Sequence, residues 1–179
     1  MKGHPRTRTF HACVDWEDAP MITVSRRFVA PVVGVVVLVV VGVATYLLLA
    51  PRQSGDVAVP ANDATPEQVV TAYLDALNAH DCDTAEAVMT SDAKDSATSW
   101  CRQVASLTDV DVRDHFTERP EFSGRSAPEE VVNVPVTFDL DWRLFHGDVS
   151  MPGGTTTWGY RLVRDSSDTP WRIFDQGNG

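Results

Sequence analysis

Of the residues whose types could move protons or hold ions, only a handful are placed to do so together, and their spacing narrows what they could do. His146, Tyr160 and Asp175 combine an imidazole, a phenol and a carboxylate, the side chains used for general acid–base work. His146 continues the parity of the apolar residues that alternate from Val132 to Leu144, while Tyr73, Tyr160, Arg164 and Asp175 occupy apolar-parity positions or helix faces. For His146 the competing reading is a loop or strand end, and for Tyr73 it is a core residue with its hydroxyl at the rim. Asp139 and Asp141 stand two apart on the opposite parity. They point to solvent, where two carboxylates without further oxygen ligands make a weak cation site. His115 lies in Arg113-Asp114-His115-Phe116, where local pairing with Asp114 is expected. His4, His11 and Cys13 match no zinc spacing. There is no phosphate-cradling glycine loop and no serine nucleophile motif, and Met151-Pro152-Gly153-Gly154 reads as a turn, so neither metal nor cofactor is expected.

The elements that must position these residues begin with an address. Residues 28–50, FVAPVVGVVVLVVVGVATYLLLA, contain no charge, and as a helix would be about 34 Å long, enough to cross a roughly 30 Å hydrocarbon core. Lys2, Arg6, Arg8, Arg26 and Arg27 precede the run and Arg52 alone follows closely, which predicts a cytoplasmic N-terminus and an extracytoplasmic C-terminal part at the cell membrane. A cleaved signal peptide would have an apolar region about half as long, and Pro51 occupies the position where a cut after Ala50 would fall. Residues 1–27 are then a cytoplasmic tail. Met21 opens a more usual anchor pattern, so residues 1–20 are either a disordered tail or not translated.

Residues 51–64, rich in Pro, Ser, Gly, Asp and Ala, read as a linker, leaving residues 65–179 as one extracytoplasmic domain. From Gln53 onward nine lysines and arginines face twenty-two acids, a net charge of about −13 that argues against a nucleic-acid partner or an anionic lipid surface. Cys82 and Cys101 lie in this exported part, where a disulfide between them is favoured; the alternative is two separate buried thiols. Neither has the neighbours of a thiol nucleophile.

Thr65-Pro66-Glu67-Gln68 is a helix start, with Thr65 as N-cap, and Val69, Val70, Tyr73, Leu74 and Leu77 form one apolar face before an end near His80. Asp83 and Glu86 signal a second, short helix carrying Ala85, Val88 and Met89 inward, and a third piece from Ser96 to Leu107 carries Trp100, Val104 and Leu107. The period then changes to two. Val110 and Val112 suggest a strand, and Val132 to Leu144 alternate strictly, with Pro135 on the polar face implying an edge or a bulge. Trp158, Tyr160 and Leu162 mark another strand, and Trp171, Ile173 and Phe174 the last, after a turn at Asp165–Asp168. Helices followed by an antiparallel meander predict an α+β fold, with about three helices packed on one face of a curved sheet.

The opening TPEQVVTAYLDALNAHDCDTAEAVM, the long alternating strand and the closing WRIFDQG resemble the nuclear transport factor 2-like, or SnoaL-like, superfamily of cone-shaped α+β domains. With the N-terminal anchor, the chain especially resembles small actinobacterial membrane-attached members such as the Mce-associated membrane proteins. The resemblance implies a pocket between helices and sheet, for which Tyr73, Trp142, His146, Trp158, Tyr160, Arg164 and Asp175 are the candidate lining residues. For Trp142 and Trp158, core packing is the competing reading, and Trp100 and Trp171 are expected in the core. It also implies a non-catalytic accessory or small apolar ligand-binding protein of an envelope assembly, of the Mce lipid-transport type. Two alternatives stay open: an isomerase- or cyclase-type enzyme using Tyr160, His146 and Asp175, and a homodimeric spacer built on the open sheet face.

Overall fold

A computed structural model describes residues 26–49, 53–147 and 151–177. Residues 1–25 of the cytoplasmic tail expected over residues 1–27, with His4, His11, Cys13 and the alternative start at Met21, lie outside the described residues. Contacts divide the chain into two units, Met1–Ala50 and Pro51–Gly179.

In the first unit, residues Arg26–Leu49 form helix α1. Its side chains are described from residue 34 to residue 45, about 18 Å of helix, and among the described residues no helix is long and apolar enough to cross a membrane. Val35 to Val41 and Val43 are all exposed, so this stretch is apolar around its whole circumference.

In the second unit, α2 (Pro66–Ala79) forms where the sequence predicts it. Thr65 accepts from the Gln68 N–H at 3.4 Å, while the Gln68 side chain accepts from the Thr65 N–H at 2.9 Å, closing the capping box. The helix stops at His80, which adopts the left-handed conformation (φ 54°) and donates its N–H back to the last turn. Helix α3 (Cys82–Ala87) starts two residues earlier than the Asp83 signal implies, because Asp81 is the residue whose carboxylate accepts from the Thr84 N–H, at 3.1 Å. That same carboxylate accepts from the Val57 N–H at 2.9 Å, and Thr84 Oγ1 donates to the Val57 carbonyl at 3.0 Å. With Ser54 N–H bonded to the Ala79 carbonyl at 2.7 Å, residues 54–57 are strapped to the domain rather than acting as free linker.

Helix α4 (Lys94–Gln103) is shorter than the Ser96–Leu107 expectation at its C-terminal end. Val104 and Leu107 belong to strand β1 (Val104–Val112), where they are buried. The Asn78 side chain explains why a strand is stable there: its Oδ1 accepts from the Leu107 N–H at 2.6 Å and its Nδ2 donates to the Leu107 carbonyl at 2.9 Å, serving as a surrogate strand partner. β2 (Phe116–Glu118) follows, then a single 3-10 turn at Pro120–Ser123, β3 (Glu130–Trp142), β4 (Gly154–Arg164) and β5 (Arg172–Gly177).

The named strands pair antiparallel, in the order β1-β3-β4-β5, with β2 beside β1 on the same edge of β3, and one isolated parallel bridge joins Met89 to Ile173. The fold is therefore α+β, with helices on an antiparallel sheet. Pro135 lies in an interior strand, not at an edge, and it is tolerated for a specific reason. Its carbonyl accepts from Arg113, in the gap where β1 has ended and β2 has not begun, so its ring nitrogen faces a place where no ladder donor is required. The alternating face of β3 is buried at Val132, Val134, Val136, Phe138 and Leu140, beneath the inward face of α2. Leu144 lies beyond the strand and is exposed, a departure from the expected run to that residue.

Cys82 and Cys101 form a disulfide joining the first residue of α3 to α4. With a sequence separation of 19, the loop-entropy contribution is about 3 kcal/mol. Replacing both cysteines with serine should lower the thermal midpoint of the domain by roughly 10 °C, read by circular dichroism. An unchanged midpoint would mean that the α3–α4 packing holds without the bridge.

Candidate functional site

Between α2 and the sheet lies a group of buried polar atoms that find no partner among the described residues: Tyr73 Oη, Tyr160 Oη, Trp158 Nε1 and Gln176 Oε1. Tyr73 reaches it from α2 and meets Tyr160 of β4 edge to face, ring centroids 5.7 Å apart. Tyr160 and Gln176 are direct cross-strand neighbours, so both point to the same side of the sheet. Gln176 Nε2 donates to Ser96 Oγ at 3.0 Å, which ties the cluster to α4. Burial raises the pKa of both phenols above the ordinary value, and for Tyr160 the neighbouring Tyr73 adds to the effect. Gln176 stands close enough to oppose the rise slightly at Tyr73, although no well-formed hydrogen bond joins them. Both hydroxyls therefore stay protonated at neutral pH and can donate hydrogen bonds but not act as bases.

Three tryptophans extend this cluster toward the β3–β4 loop. Trp100 of α4 packs on Trp158 at 5.6 Å and on Trp142 at 5.4 Å, and Trp142 in turn packs on His146 at 5.9 Å. Trp142 is half-buried and donates its indole N–H to the Met151 carbonyl at 3.1 Å. Trp100, expected in the core, is likewise half-buried and acts as the bridge between the other two.

The seven candidate residues therefore separate. Tyr73, Trp158 and Tyr160 come together inside; the Tyr73 hydroxyl is fully buried rather than at a rim. Trp142 and His146 lie at the loop end, with His146 exposed and bonded to the Gly147 carbonyl. Arg164 sits at the sheet's far end, paired with Glu130 at 2.5 Å and stacked over Trp171, 4.4 Å from the ring centroid. Asp175 is on the opposite face of the sheet, exposed, and pairs with Arg161 at 3.0 Å.

The reason for this last difference is a bulge. Leu162 pairs with Ile173 but Arg161 pairs with Asp175, so Phe174 is an extra residue that flips the parity of everything after it. Strict alternation from Ile173 would turn Asp175 inward; the bulge turns Gln176 inward instead. The adjacent apolar pair Ile173-Phe174 was the one signal of it in the sequence. Asp175 then joins a polar network on the outer face, where Arg161 also lies 3.2 Å from Glu118, and Glu118 accepts from Asn133 at 3.0 Å. Asn133 has room because residue 159 is glycine: a Cβ there would lie 3.1 Å from the Asn133 amide oxygen. Asp139 is half-buried against Thr155, and Asp141 is exposed and accepts from Ser106 at 3.3 Å. Among the described residues no group of His, Cys, Asp and Glu is arranged to hold a metal ion.

Glu67 and His80, on either end of α2, also have shifted pKa values. His115 pairs not with Asp114 but with Glu67 in the first turn of α2: its Nδ1 lies 2.5 Å from Glu67 Oε1, and its backbone N–H donates to the same oxygen at 3.0 Å. Burial would raise the Glu67 pKa, but these hydrogen bonds outweigh it and hold the carboxyl at about 2. His80 Nε2 accepts from Arg143 Nη2 at 3.0 Å; burial first, and the guanidinium charge second, push its pKa below the ordinary 6.5.

Residues 67–177, from the second residue of α2 to the end of β5, match the family model described as "Domain of unknown function (DUF4829)". The chain belongs to the DUF4829 family. No curated protein matches it. Among solved structures, the DUF4829 domain is similar to the solution structure of a SEC-C motif containing protein from Rhodopseudomonas palustris, at 11% identity and a TM-score of 0.42, covering 66% of this chain and 82% of that one. A likeness at that score carries neither fold nor function for the DUF4829 domain.

The Glu67–His115 contact gives the domain a testable acid limb. A carboxyl with a depressed folded pKa contributes stability that is complete above its unfolded value, 4.5, and is lost as the pH falls toward 2. Glu67→Gln should flatten the fall in unfolding free energy between those two values, measured by urea titration at each pH. An unchanged slope would show that other carboxylates carry the acid transition.

Proposed function

We propose that this chain is a non-catalytic, membrane-anchored accessory protein whose extracytoplasmic domain binds a small, largely apolar ligand between α2 and the sheet. The observation that carries the reading is the buried cluster itself. Two phenol hydroxyls and one indole N–H are hydrogen-bond donors, one amide oxygen is an acceptor, and the surrounding wall is aromatic and aliphatic. Buried polar groups without partners cost about 1–3 kcal/mol each, a penalty that a ligand with an oxygen or hydroxyl on an apolar frame would remove. The cone-shaped architecture of the nuclear transport factor 2-like superfamily suits this reading, since its pocket lies between helices and sheet.

A proton-transfer enzyme is less well supported, because its three residues do not meet. Tyr160 is interior with a raised pKa, His146 is on an exposed loop, and Asp175 is on the outer face. The anchor rests on the uncharged run 28–50 and its basic N-terminal flank, and the exposed valines of α1 are the surface a bilayer would cover. A Mce-type envelope assembly is the partner system that the family resemblance suggests, and affinity pull-down of the full chain from detergent-solubilised membranes tests it. Stoichiometric recovery of the chain alone would count against any such partner.

The ligand reading has its own test. Organic extraction and mass spectrometry of the full chain purified from membranes should find a small molecule at near-stoichiometric yield, absent from a Tyr73→Phe/Tyr160→Phe chain. That double variant, having lost two unpartnered hydroxyls, should unfold no more easily than the unliganded wild type. Equal retention by both chains would remove the tyrosines from the site, and an empty wild-type extract would sink the proposal.

A further inference from the structure

The loop between β3 and β4 carries Leu144 and Phe145 into solvent, at 85% and 75% exposure. A slack loop could fold such side chains back onto the core. Here the backbone beneath them is tied down on both sides: the Arg143 N–H donates to the Gln103 carbonyl at 2.9 Å, Arg143 Nε to the Val104 carbonyl at 3.0 Å, and the Gly147 N–H to Gln103 Oε1 at 3.1 Å. Trp142 and His146, on either side of the pair in sequence, pack on one another with ring centroids 5.9 Å apart. Two adjacent large apolar side chains are thus held outward on a braced support.

Their place in the domain indicates what covers them. Arg143 also donates to His80, the C-cap of α2, and the residue before it, Ala79, accepts from both the backbone N–H and the hydroxyl of Ser54. The apolar tip and the point where the chain enters the domain therefore share one end of it. Leu49, the last residue of α1, precedes Ser54 by five residues, at most about 18 Å of extended chain. Once α1 lies in a bilayer, that end of the domain is within reach of the headgroups.

We propose that the Leu144–Phe145 tip docks the domain onto the same bilayer that α1 enters, with both side chains at the boundary between headgroups and acyl chains and Trp142 and His146 at headgroup level. The inference rests on the anchor reading above. The excess of acids elsewhere on the domain predicts that docking is stronger on neutral than on anionic lipid.

The test uses the full chain with Cys13→Ser and Phe145→Cys, labelled at position 145 with an environment-sensitive fluorophore and reconstituted in phosphatidylcholine nanodiscs containing brominated lipid. Phe122→Cys, at a position 78% exposed on the 3-10 turn, is the control. The label at 145 should shift to the blue and be quenched severalfold more than the label at 122, and less so when phosphatidylglycerol is added. Quenching at neither site, or equally at both, overturns tip docking. So does a blue shift at 145 without bromine quenching, which would mark a protein contact instead. A label on His146→Cys should lose its quenching when Leu144 and Phe145 are both serine, while its persistence would assign the contact to other residues. Carbonate extraction reports separately on the anchor: release of the chain removes the anchor reading, whereas retention without quenching at 145 removes only the docking.

Discussion

The inner face of β3 is the constraint on which the rest of the second unit depends. Val132, Val134, Val136, Phe138 and Leu140 are each worth about 1.5–3 kcal/mol when removed from water, and they can be covered only if α2 lies across them with Val69, Val70, Tyr73, Leu74 and Leu77 turned down. That packing sets the position of α2, and through Asn78 it places Leu107 and so the start of β1. It also draws Tyr73 against Tyr160, which creates the buried polar cluster. The candidate site is a by-product of the same burial that makes the domain fold.

Three further contacts fix the helices: one to the chain that enters the domain, one to the sheet and one between α3 and α4. Asp81 caps α3 while gripping Val57, Ile173 exchanges backbone hydrogen bonds with Val88 and Thr90, and the disulfide joins α3 to α4. The Val57 N–H, ahead of the burial that works against it, holds the Asp81 carboxyl below its usual range, so this grip is strongest in its ionised form. Such contacts fix the angle at which α3 and α4 close over the sheet. The tryptophan run from Trp158 through Trp100 to Trp142 then connects the buried cluster with the loop that carries Leu144 and Phe145. Interior and loop end are parts of one packed aromatic layer.

Helix α2 and strand β3 were legible because their signals are local. Thr65 and Gln68 cap within one turn, and β3 alternates over enough residues to leave no doubt about its period. The third helix ends earlier than its spacing implies because Val104 and Leu107 satisfy a helical spacing equally well, while the ladder to β3 and the Asn78 side chain, both distant in sequence, make that backbone a strand. His115 takes as its partner Glu67, on another element, rather than its sequence neighbour Asp114. Asp175 and Gln176 exchanged places because one bulged residue, Phe174, reverses parity.

By itself the sequence determined what depends on spacing along the chain: an apolar run of anchor length, an acidic α+β domain, two cysteines able to pair, and the face that α2 and β3 bury. Tertiary structure alone decided which of the candidate side chains meet. A hydrogen bond or an aromatic contact depends on ångström distances between elements, and bulges, caps and surrogate strand partners set those distances without leaving a periodic trace. Tyr73, Trp158, Tyr160 and Gln176 converge because two surfaces pack and one strand slips by a residue, and neither event is written in any local pattern.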